Sequence, residues 1–292
     1  MTDAAPKGFP LPGTGRGSVA VPAPGPGDGR WVGAPSAALD PGSGFVVAYR
    51  VRVTDQRGAA TVVARSADGE RLTTVAILDK SRFGAMSMER PALVRTPEGR
   101  WRLYVCSATP GSKHWWIDAL EAAEPEGLAD AEATTVFPGD DRVGVKDPVI
   151  RVGDDGRWRA WMCCHPLEEP DEEDRMTTAY ATSEDGLAWS WHGTALAGRP
   201  GTWDARGARV TAVLDDGRAS YDGRATKEEN FSEHTGLARL AGPDGRLVPD
   251  GDGPAADVRY LDVLPLPGGG YRLWYEAPLP DGSHELRTEL IG

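Results

Sequence analysis

Charged and titratable side chains crowd one segment of the sequence, residues 221–238. Arg224, Glu229, Glu233 and His234 lie within it and offer both signs of charge and an imidazole that titrates near neutral pH. Loops on a rigid scaffold commonly carry binding and catalytic residues. We therefore expect these side chains to meet a ligand. The alternative is a charged loop whose residues neutralise one another.

A second cluster combines basic and aromatic residues. Lys113, His114, Trp115 and Trp116 follow one another in the sequence. An aromatic face can pack against the apolar side of a ligand while Lys and His bond its polar groups. In the alternative interpretation a tryptophan packs in the core, and strand alternation makes this the expectation for one of the two.

His165 follows the adjacent pair Cys163 and Cys164. A thiolate nucleophile needs a neighbouring base or cation, and His165 could serve Cys163 in this way. Buried cysteines more often pack as small apolar groups. We keep His165 as a candidate for ligand binding and expect Cys163 to be structural.

Five segments of the sequence repeat one plan: a short apolar strand, a turn rich in Asp, Pro and Gly, and a second strand with an aromatic residue near its start. Equivalent positions fall at 35, 91, 148, 209 and 261, at intervals of 56, 57, 61 and 52 residues. This period, filled with short strands and turns, is typical of propeller blades with four strands. A β-sandwich with accidental regularity is the weaker alternative, because sandwich strands need no long repeat.

The repeat predicts an all-β, five-bladed β-propeller of residues 1–292, with blades that start near residues 34, 90, 147, 208 and 260. Residues 1–33 form a closing segment whose strand 17–21 completes the last blade. Side chains where first strands start and second strands end should then face a common funnel. The first ring comprises Ala34, Arg90, Asp147, Ala208 and Tyr260, and the second comprises Arg50, Cys106, Cys163, Arg224 and Glu276.

Two motifs resemble the five-bladed propeller glycoside hydrolases of families 43, 32, 68 and 130. Lys146-Asp147-Pro148 is similar to the Arg-Asp-Pro element of the fructan-processing families, and the segment 181–189 matches a shared blade signature. The resemblance implies an Asp in the first blade as base or nucleophile, an Asp in the third that stabilises the transition state, and a Glu in the fourth as acid. Only Asp147, at the third-blade position, matches. Ala34 occupies the first-blade position, and either Gly207 or Ala208 occupies the fourth-blade position.

The resemblance implies a carbohydrate-active enzyme that acts on a small glycoside or oligosaccharide in the funnel. Asp147 would stay ionised, and Glu233 or Glu89 would be the protonated acid. Arg90 beside Glu89 favours Glu233 for this role. The alternative is a sugar- or carboxylate-binding protein, or a biosynthetic enzyme, that reuses the scaffold. Arg50, Arg90 and Arg224 would favour a carboxylate or phosphate ligand, and Tyr260, Glu276 and Glu229 complete the candidates for substrate binding.

Composition narrows the choice of partners. The chain of 292 residues has 32 Lys and Arg against 44 Asp and Glu, a formal net charge of −12, so nucleic acid is not expected as a partner. The apolar stretches are strand-sized, and we expect no membrane partner. The acidic start of the chain and the three cysteines predict a cytoplasmic protein. We predict neither a metal nor another cofactor.

Overall fold

A computed structural model describes residues 8–13, 15 and 17–292 of the chain. Strand β1 spans Ser18–Val21. Blade 1 follows as β2 (Trp31–Asp40), β3 (Gly44–Val53), β4 (Arg57–Ser66) and β5 (Thr73–Asp79). Blade 2 comprises β6 (Ala92–Arg95), β7 (Trp101–Ala108), β8 (Trp115–Ala122) and β9 (Ala133–Phe137).

Blade 3 is built from β10 (Val143–Val152), β11 (Trp158–Pro166), β12 (Thr177–Ser183) and β13 (Ser190–Ala197). Blade 4 has β14 (Gly207–Val213), β15 (Arg218–Arg224), β16 (His234–Leu240) and β17 (Leu247–Asp250). Blade 5 has β18 (Arg259–Pro265), β19 (Tyr271–Pro278) and β20 (His284–Ile291). Short 3-10 helices span Lys80–Phe83 and Pro125–Ala129.

Within each blade, consecutive strands pair antiparallel. Strand β1 pairs antiparallel with β20, with Val19 opposite Arg287 and Val21 opposite Leu286. The sequence predicted this pairing. The boundary of the N-terminal segment differs from the prediction, because residues 31–33 already belong to β2.

The first strands of the blades contact one another in the order β2, β6, β10, β14, β18 and back to β2, so they surround a central channel. The all-β propeller fold expected from the repeat is therefore present. Each first strand carries buried apolar residues against its neighbours, as the side-chain alternation of strands requires. None of the helices in the described part of the chain is long and apolar enough to cross a membrane.

The recurring Ser-x-Asp-Gly turn has a physical reason. Ser183 Oγ accepts a hydrogen bond from the Gly186 backbone N–H (2.9 Å), and Asp185 Oδ1 accepts from the two following backbone N–H groups. Gly186 adopts a left-handed φ of 73° that other residues disfavour. Ser66 and Asp68 repeat these contacts in blade 1. The side chains thus satisfy backbone donors that a turn leaves unpaired.

Three equivalent positions share an unusual backbone. Ala34, Asp147 and Tyr260 have φ values of 51°, 50° and 51°, and the strand register shifts at each of them. A residue inserted in this way forms a β-bulge, which changes the direction of its side chain. Blade 4 has no register shift at Ala208, which pairs directly with Gly223. Arg209 therefore contributes the inward side chain of blade 4, which corrects the predicted ring.

Candidate functional site at one end of the channel

Buried charged residues fill the channel where the first strands begin and the second strands end, which we call the site end. Asp147 comes from the bulge of β10 and Arg209 from β14, whereas Arg50, Arg224 and Glu276 come from the last residues of second strands. The network consists of Arg50, Glu89, Asp147, Arg209, Asp222, Arg224, Glu233, Arg259, Tyr260, Glu276 and His284, all of them buried.

Asp147 is completely buried against Arg209 and Tyr260. Its Oδ2 accepts from Arg209 Nη1 (3.1 Å) and lies 3.5 Å from the Tyr260 hydroxyl, and its Oδ1 accepts from the Arg90 backbone N–H (3.0 Å). The Arg209 guanidinium also stacks over the Tyr260 ring, 3.8 Å from its centroid. The Arg90 backbone N–H and the Tyr260 hydroxyl thus meet at Asp147, which has no exposed surface.

Asp222 shares the Arg209 guanidinium with Asp147. Its Oδ2 accepts from Arg209 Nη2 (2.7 Å) and from the Tyr260 backbone N–H (3.0 Å). Burial raises the pKa of Asp222 above its ordinary value, and the charge of Arg209 opposes this rise. Sequence reasoning missed Asp222 and Arg209, although both lie on alternating positions of apolar strands, where a charged residue signals a buried ion pair.

Glu276 is the centre of the second half of the network. Its Oε2 accepts from Arg50 Nη2 (2.5 Å), and its Oε1 accepts from Arg259 Nη1 (2.6 Å) and contacts His284 Nδ1 (2.6 Å). Burial acts to raise the pKa of Glu276, but Arg50 and Arg259 outweigh it and hold the pKa far below the ordinary value. Gly33 makes room for this side chain, because a Cβ there would overlap Glu276.

The two glutamates predicted as the acid are both paired with arginines. Glu233 accepts from Arg259 Nε and Arg224 Nη1, each at 2.6 Å, and Glu89 accepts from Arg50 Nη1 (2.8 Å). Burial alone would raise both pKa values, yet the nearby cations lower each of them to about 2. Both glutamates are therefore ionised at neutral pH, whereas the predicted role requires a protonated carboxyl group.

Arg52 and Lys146 lie beside Glu89 at the boundary between the network and solvent, and we call these three residues the floor. Arg52 Nη1 lies 3.5 Å from Glu89 Oε1, and Lys146 Nζ lies 3.8 Å from Asp147 Oδ2. The Arg52 side chain is 12% exposed and the Lys146 side chain 13%. Glu89 was predicted from the sequence as a candidate, and the two cations were not.

A cavity of about 430 Å³ opens beside the network, between blade 5, the start of β2 and the loop before β16. We call it the rim cavity. Trp31, Phe231, Arg259 and His284 line it, together with Glu233. The Trp31 ring lies between His284, at a centroid distance of 4.7 Å, and Phe231, at 5.0 Å. This cavity therefore joins aromatic surface to the edge of the ion-pair network.

The loop predicted to carry function supplies part of the rim cavity. His234 Nδ1 bonds Asp257 Oδ1 (2.8 Å), and both residues line the cavity. Glu229 has a local role instead, because its Oε2 accepts from the Ala225 backbone N–H (2.6 Å). Phe231, which was not predicted from the sequence, has a φ of 78° and an exposed fraction of 40%.

The predicted aromatic platform is divided by the fold. Trp115 is buried, with Lys146 Nζ 4.9 Å from its ring centroid, while Lys113 is exposed. His114 is held between Thr109 Oγ1 (2.7 Å) and the Pro138 carbonyl (2.9 Å). The three side chains therefore do not present one continuous surface.

His165 and Cys163 face each other at 3.5 Å between Nε2 and Sγ. The Glu173 carbonyl lies 2.7 Å from His165 Nδ1 and accepts a hydrogen bond from it, so Nδ1 carries the proton of the neutral ring and Nε2 carries none. Burial lowers the pKa of His165 well below its ordinary value and raises the pKa of Cys163 to about 12. The pair is therefore a neutral imidazole and a protonated thiol, and the geometry provides no thiolate.

Arg90 directs its guanidinium toward the opposite end of the channel, which we call the far end. Its Nε donates to the Pro35 carbonyl (3.1 Å) and its Nη2 to Asp262 Oδ1 (3.3 Å). Both charged side chains line a cavity of about 270 Å³ that all five first strands surround. Arg90 has no bulge like the one that turns Asp147 inward. The Arg90 side chain therefore lies apart from the other residues that were predicted to line the funnel.

Solved structures share this architecture. A thermostable family-43 glycoside hydrolase aligns with a TM-score of 0.68 at 14% identity, over 89% of each chain. A GH43_1 enzyme from Xanthomonas citri complexed with xylotriose gives 0.64 at 14% identity, over 94% of this chain and 91% of that one. The β-1,2-mannobiose phosphorylase from Listeria innocua gives 0.60 at 13%, over 91% and 90%.

No protein-family model matches the sequence, and no curated protein matches it at a significant level. At 12–15% identity the structural matches show the fold alone. The chain therefore has the propeller fold of these glycoside hydrolases and phosphorylases, as the Asp-Pro and blade motifs indicated.

Proposed function

We propose that this protein binds a small carbohydrate in the rim cavity and that it does not cleave glycosidic bonds by the two-carboxylate route. The observation that carries the proposal is a contrast within the site end. Asp147 is sealed beneath Arg209 and Tyr260, whereas the rim cavity is open and lined by aromatic and polar groups. Hydrolysis needs one carboxyl group that holds a proton beside the substrate, and Glu89 and Glu233 are ionised.

The size and lining of the rim cavity support a sugar. Its volume of about 430 Å³ falls in the range of small-molecule sites, about 300–1,000 Å³. Phe231 offers an apolar face to a sugar ring, and His234, Asp257 and Arg259 offer groups that bond hydroxyls. The fold neighbours include proteins described as acting on or complexed with oligosaccharides.

The backbone of Phe231 supports a binding role as well. A φ of 78° is an outlier for a bulky residue and costs on the order of 1–3 kcal/mol. Such strain persists where the surroundings enforce it, and it is concentrated at ligand sites. Here it holds an aromatic ring, 40% exposed, over Trp31 at the mouth of the cavity.

A second candidate function is glycoside hydrolysis by Asp147 and Asp222. The observation in its favour is the raised pKa of Asp222, which binds the same guanidinium as Asp147. In this candidate Asp222, rather than Glu233 or Glu89, would supply the proton. It requires Arg209 and Tyr260 to move, because both aspartates are fully buried.

Sugar binding to the wild-type protein and to Phe231→Ala distinguishes these functions. Neutral mono- and disaccharides of xylose, mannose and galactose are titrated by calorimetry, and the sugars are then analysed for cleavage. We expect the sugars of one of these three series to bind the wild-type protein and to be recovered intact. Their affinity for Phe231→Ala should be roughly tenfold lower, because an aromatic contact is removed. Leu187→Ala is the matched control, since Leu187 is also 40% exposed.

Turnover would overturn the non-hydrolytic proposal. Aryl glycosides are offered to wild type, Asp147→Asn, Asp222→Asn and Glu233→Gln. Cleavage that requires Asp147 and Asp222 but not Glu233 would establish the second candidate. Cleavage of natural substrates that requires Glu233, with an aryl substrate spared, would restore the acid role predicted from the sequence.

A further inference from the structure

Arg52 and Lys146 differ from the other cations at the site end. Each arginine of the network donates to at least one carboxylate within 3.1 Å, whereas the nearest carboxylate oxygens lie 3.5 Å from Arg52 Nη1 and 3.8 Å from Lys146 Nζ. These separations exceed the usual hydrogen-bond limit of ~3.2 Å. Neither side chain donates a hydrogen bond to another group in the described ranges, and Arg52 Nε is buried without a partner.

Aromatic rings hold both cations in place. The Arg52 guanidinium lies 4.7 Å from the Trp31 ring centroid and 5.3 Å from that of Phe231, and Lys146 lies over Trp115. Ring faces attract a cation but do not replace a strong hydrogen-bond acceptor. The N–H groups of Arg52 and Lys146 are thus positioned at the floor and remain available to an incoming acceptor.

Glu89 does not satisfy these donors, although it lies beside both cations. Its Oε2 already accepts from Arg50, and both Arg52 and Lys146 contribute to its lowered pKa. Burial lowers the pKa of Arg52, and the neighbouring cations Arg50 and Arg57 lower it further against the pull of Glu89. The surroundings of Arg52 therefore favour an additional negative charge.

We propose that the sugar bound at the rim cavity carries an oxyanion, a carboxylate or a phosphate, which binds Arg52 and Lys146. This inference rests on the proposed function, because it places the anionic group on the same ligand. Arg52 connects the two locations, since it packs against Trp31 and Phe231, which both line the rim cavity. A guanidinium and an ammonium that both act on Glu89 suit a group with several acceptor oxygens.

The first experiment compares ligands that differ only in the anionic group. Glucose, glucuronate and glucose 6-phosphate are titrated into the wild-type protein, with the galactose and mannose series, inorganic phosphate and acetate alongside. We expect an acidic sugar to bind at least tenfold more tightly than its neutral parent and than either free anion, and this preference to fall as salt is raised. The uronate and phosphate arms decide which oxyanion the site takes.

The second experiment tests the two cations. Arg52→Gln and Lys146→Met should each weaken binding of the preferred acidic sugar roughly tenfold or more and weaken binding of its neutral parent far less. Arg71→Gln is the control, since Arg71 is almost fully exposed. If Arg52 or Lys146 has only a structural role, its variant should instead have a lower melting temperature. Arg50→Gln is the reference for such a loss of stability, because Arg50 donates hydrogen bonds to two carboxylates.

Failure of the inference is separable from failure of the proposed function. If neutral and acidic sugars bind equally, or if either cation variant retains full affinity for the acidic sugar, the oxyanion site is wrong while sugar binding stands. If no sugar of either kind binds, the proposed function is wrong and the inference falls with it.

Discussion

The two ends of the channel hold carboxylates whose pKa values are shifted in opposite directions. At the site end, Glu233 is bonded by two guanidiniums at 2.6 Å and has a pKa of about 2. At the far end, desolvation raises the pKa of Asp262 to about 6, because the nearest guanidinium, that of Arg90, lies at 3.3 Å and opposes this rise only in part. Desolvation acts to raise the pKa at both ends, so the number and distance of the cations decide in which direction each pKa finally shifts.

Removing the most heavily paired carboxylate should produce the largest effect. Glu276→Gln leaves Arg50 and Arg259 without the charge that both bind, and breaking a buried pair costs about 3–5 kcal/mol. We expect a large drop in the urea midpoint. The control Glu184→Gln should change it little, because Glu184 is 83% exposed. A small effect in Glu276→Gln would show that the network is not stabilised by its pairing.

Acid should weaken the site end specifically. The folded pKa of Glu233 is about 2 against an ordinary value of 4.5, so its stabilising contribution is complete above pH 4.5 and is lost as the pH falls toward 2. Between pH 6 and pH 3 this amounts to about 2 kcal/mol. Urea unfolding of wild type and Glu233→Gln at both pH values measures it, and the gap between them should narrow at pH 3. A constant gap would contradict the prediction.

The far end should respond to pH with the opposite sign and the smallest magnitude. The folded pKa of Asp262 is raised to about 6, so protonation favours the folded state, and lowering the pH from 7 to 5 should stabilise by about 1 kcal/mol through this group. Asp262→Asn cannot titrate and should lack this gain. Equal pH dependence of wild type and variant over this interval would remove the contrast between the ends.

The sequence predicted the fold well because the repeat is local. Strand, turn and aromatic positions recur within each blade, and the Ser-x-Asp-Gly turn satisfies its own backbone groups, so neighbouring residues alone specify it. The pairing of β1 with β20 followed from the incomplete fifth repeat. These features depend on short-range chemistry that a single sequence displays.

The site was harder to predict because ion pairing is long-range. Glu233 and Arg259 come from different blades, as do Asp147 and Arg209, and spacing in the sequence does not show which carboxylate meets two arginines. The acid role predicted for Glu233 did not take its two arginine partners into account. Arg209 was missed because the alignment assumed the same register in all five blades, whereas blade 4 lacks the shift present at Asp147.

The left-handed backbone at Ala34 has a consequence for how relatives of this chain should be sought. A left-handed φ of 51° costs an alanine roughly 1–2 kcal/mol, and the alanine side chain forms no hydrogen bond that would offset this cost. Ala34 nevertheless has the same backbone conformation as Asp147 and Tyr260. Asp and Asn tolerate this conformation better than most residues. Main-chain geometry is therefore the same at these three positions although their side chains differ. A search for relatives that compares dihedral angles would find this position where a comparison of residue types sees only a mismatch.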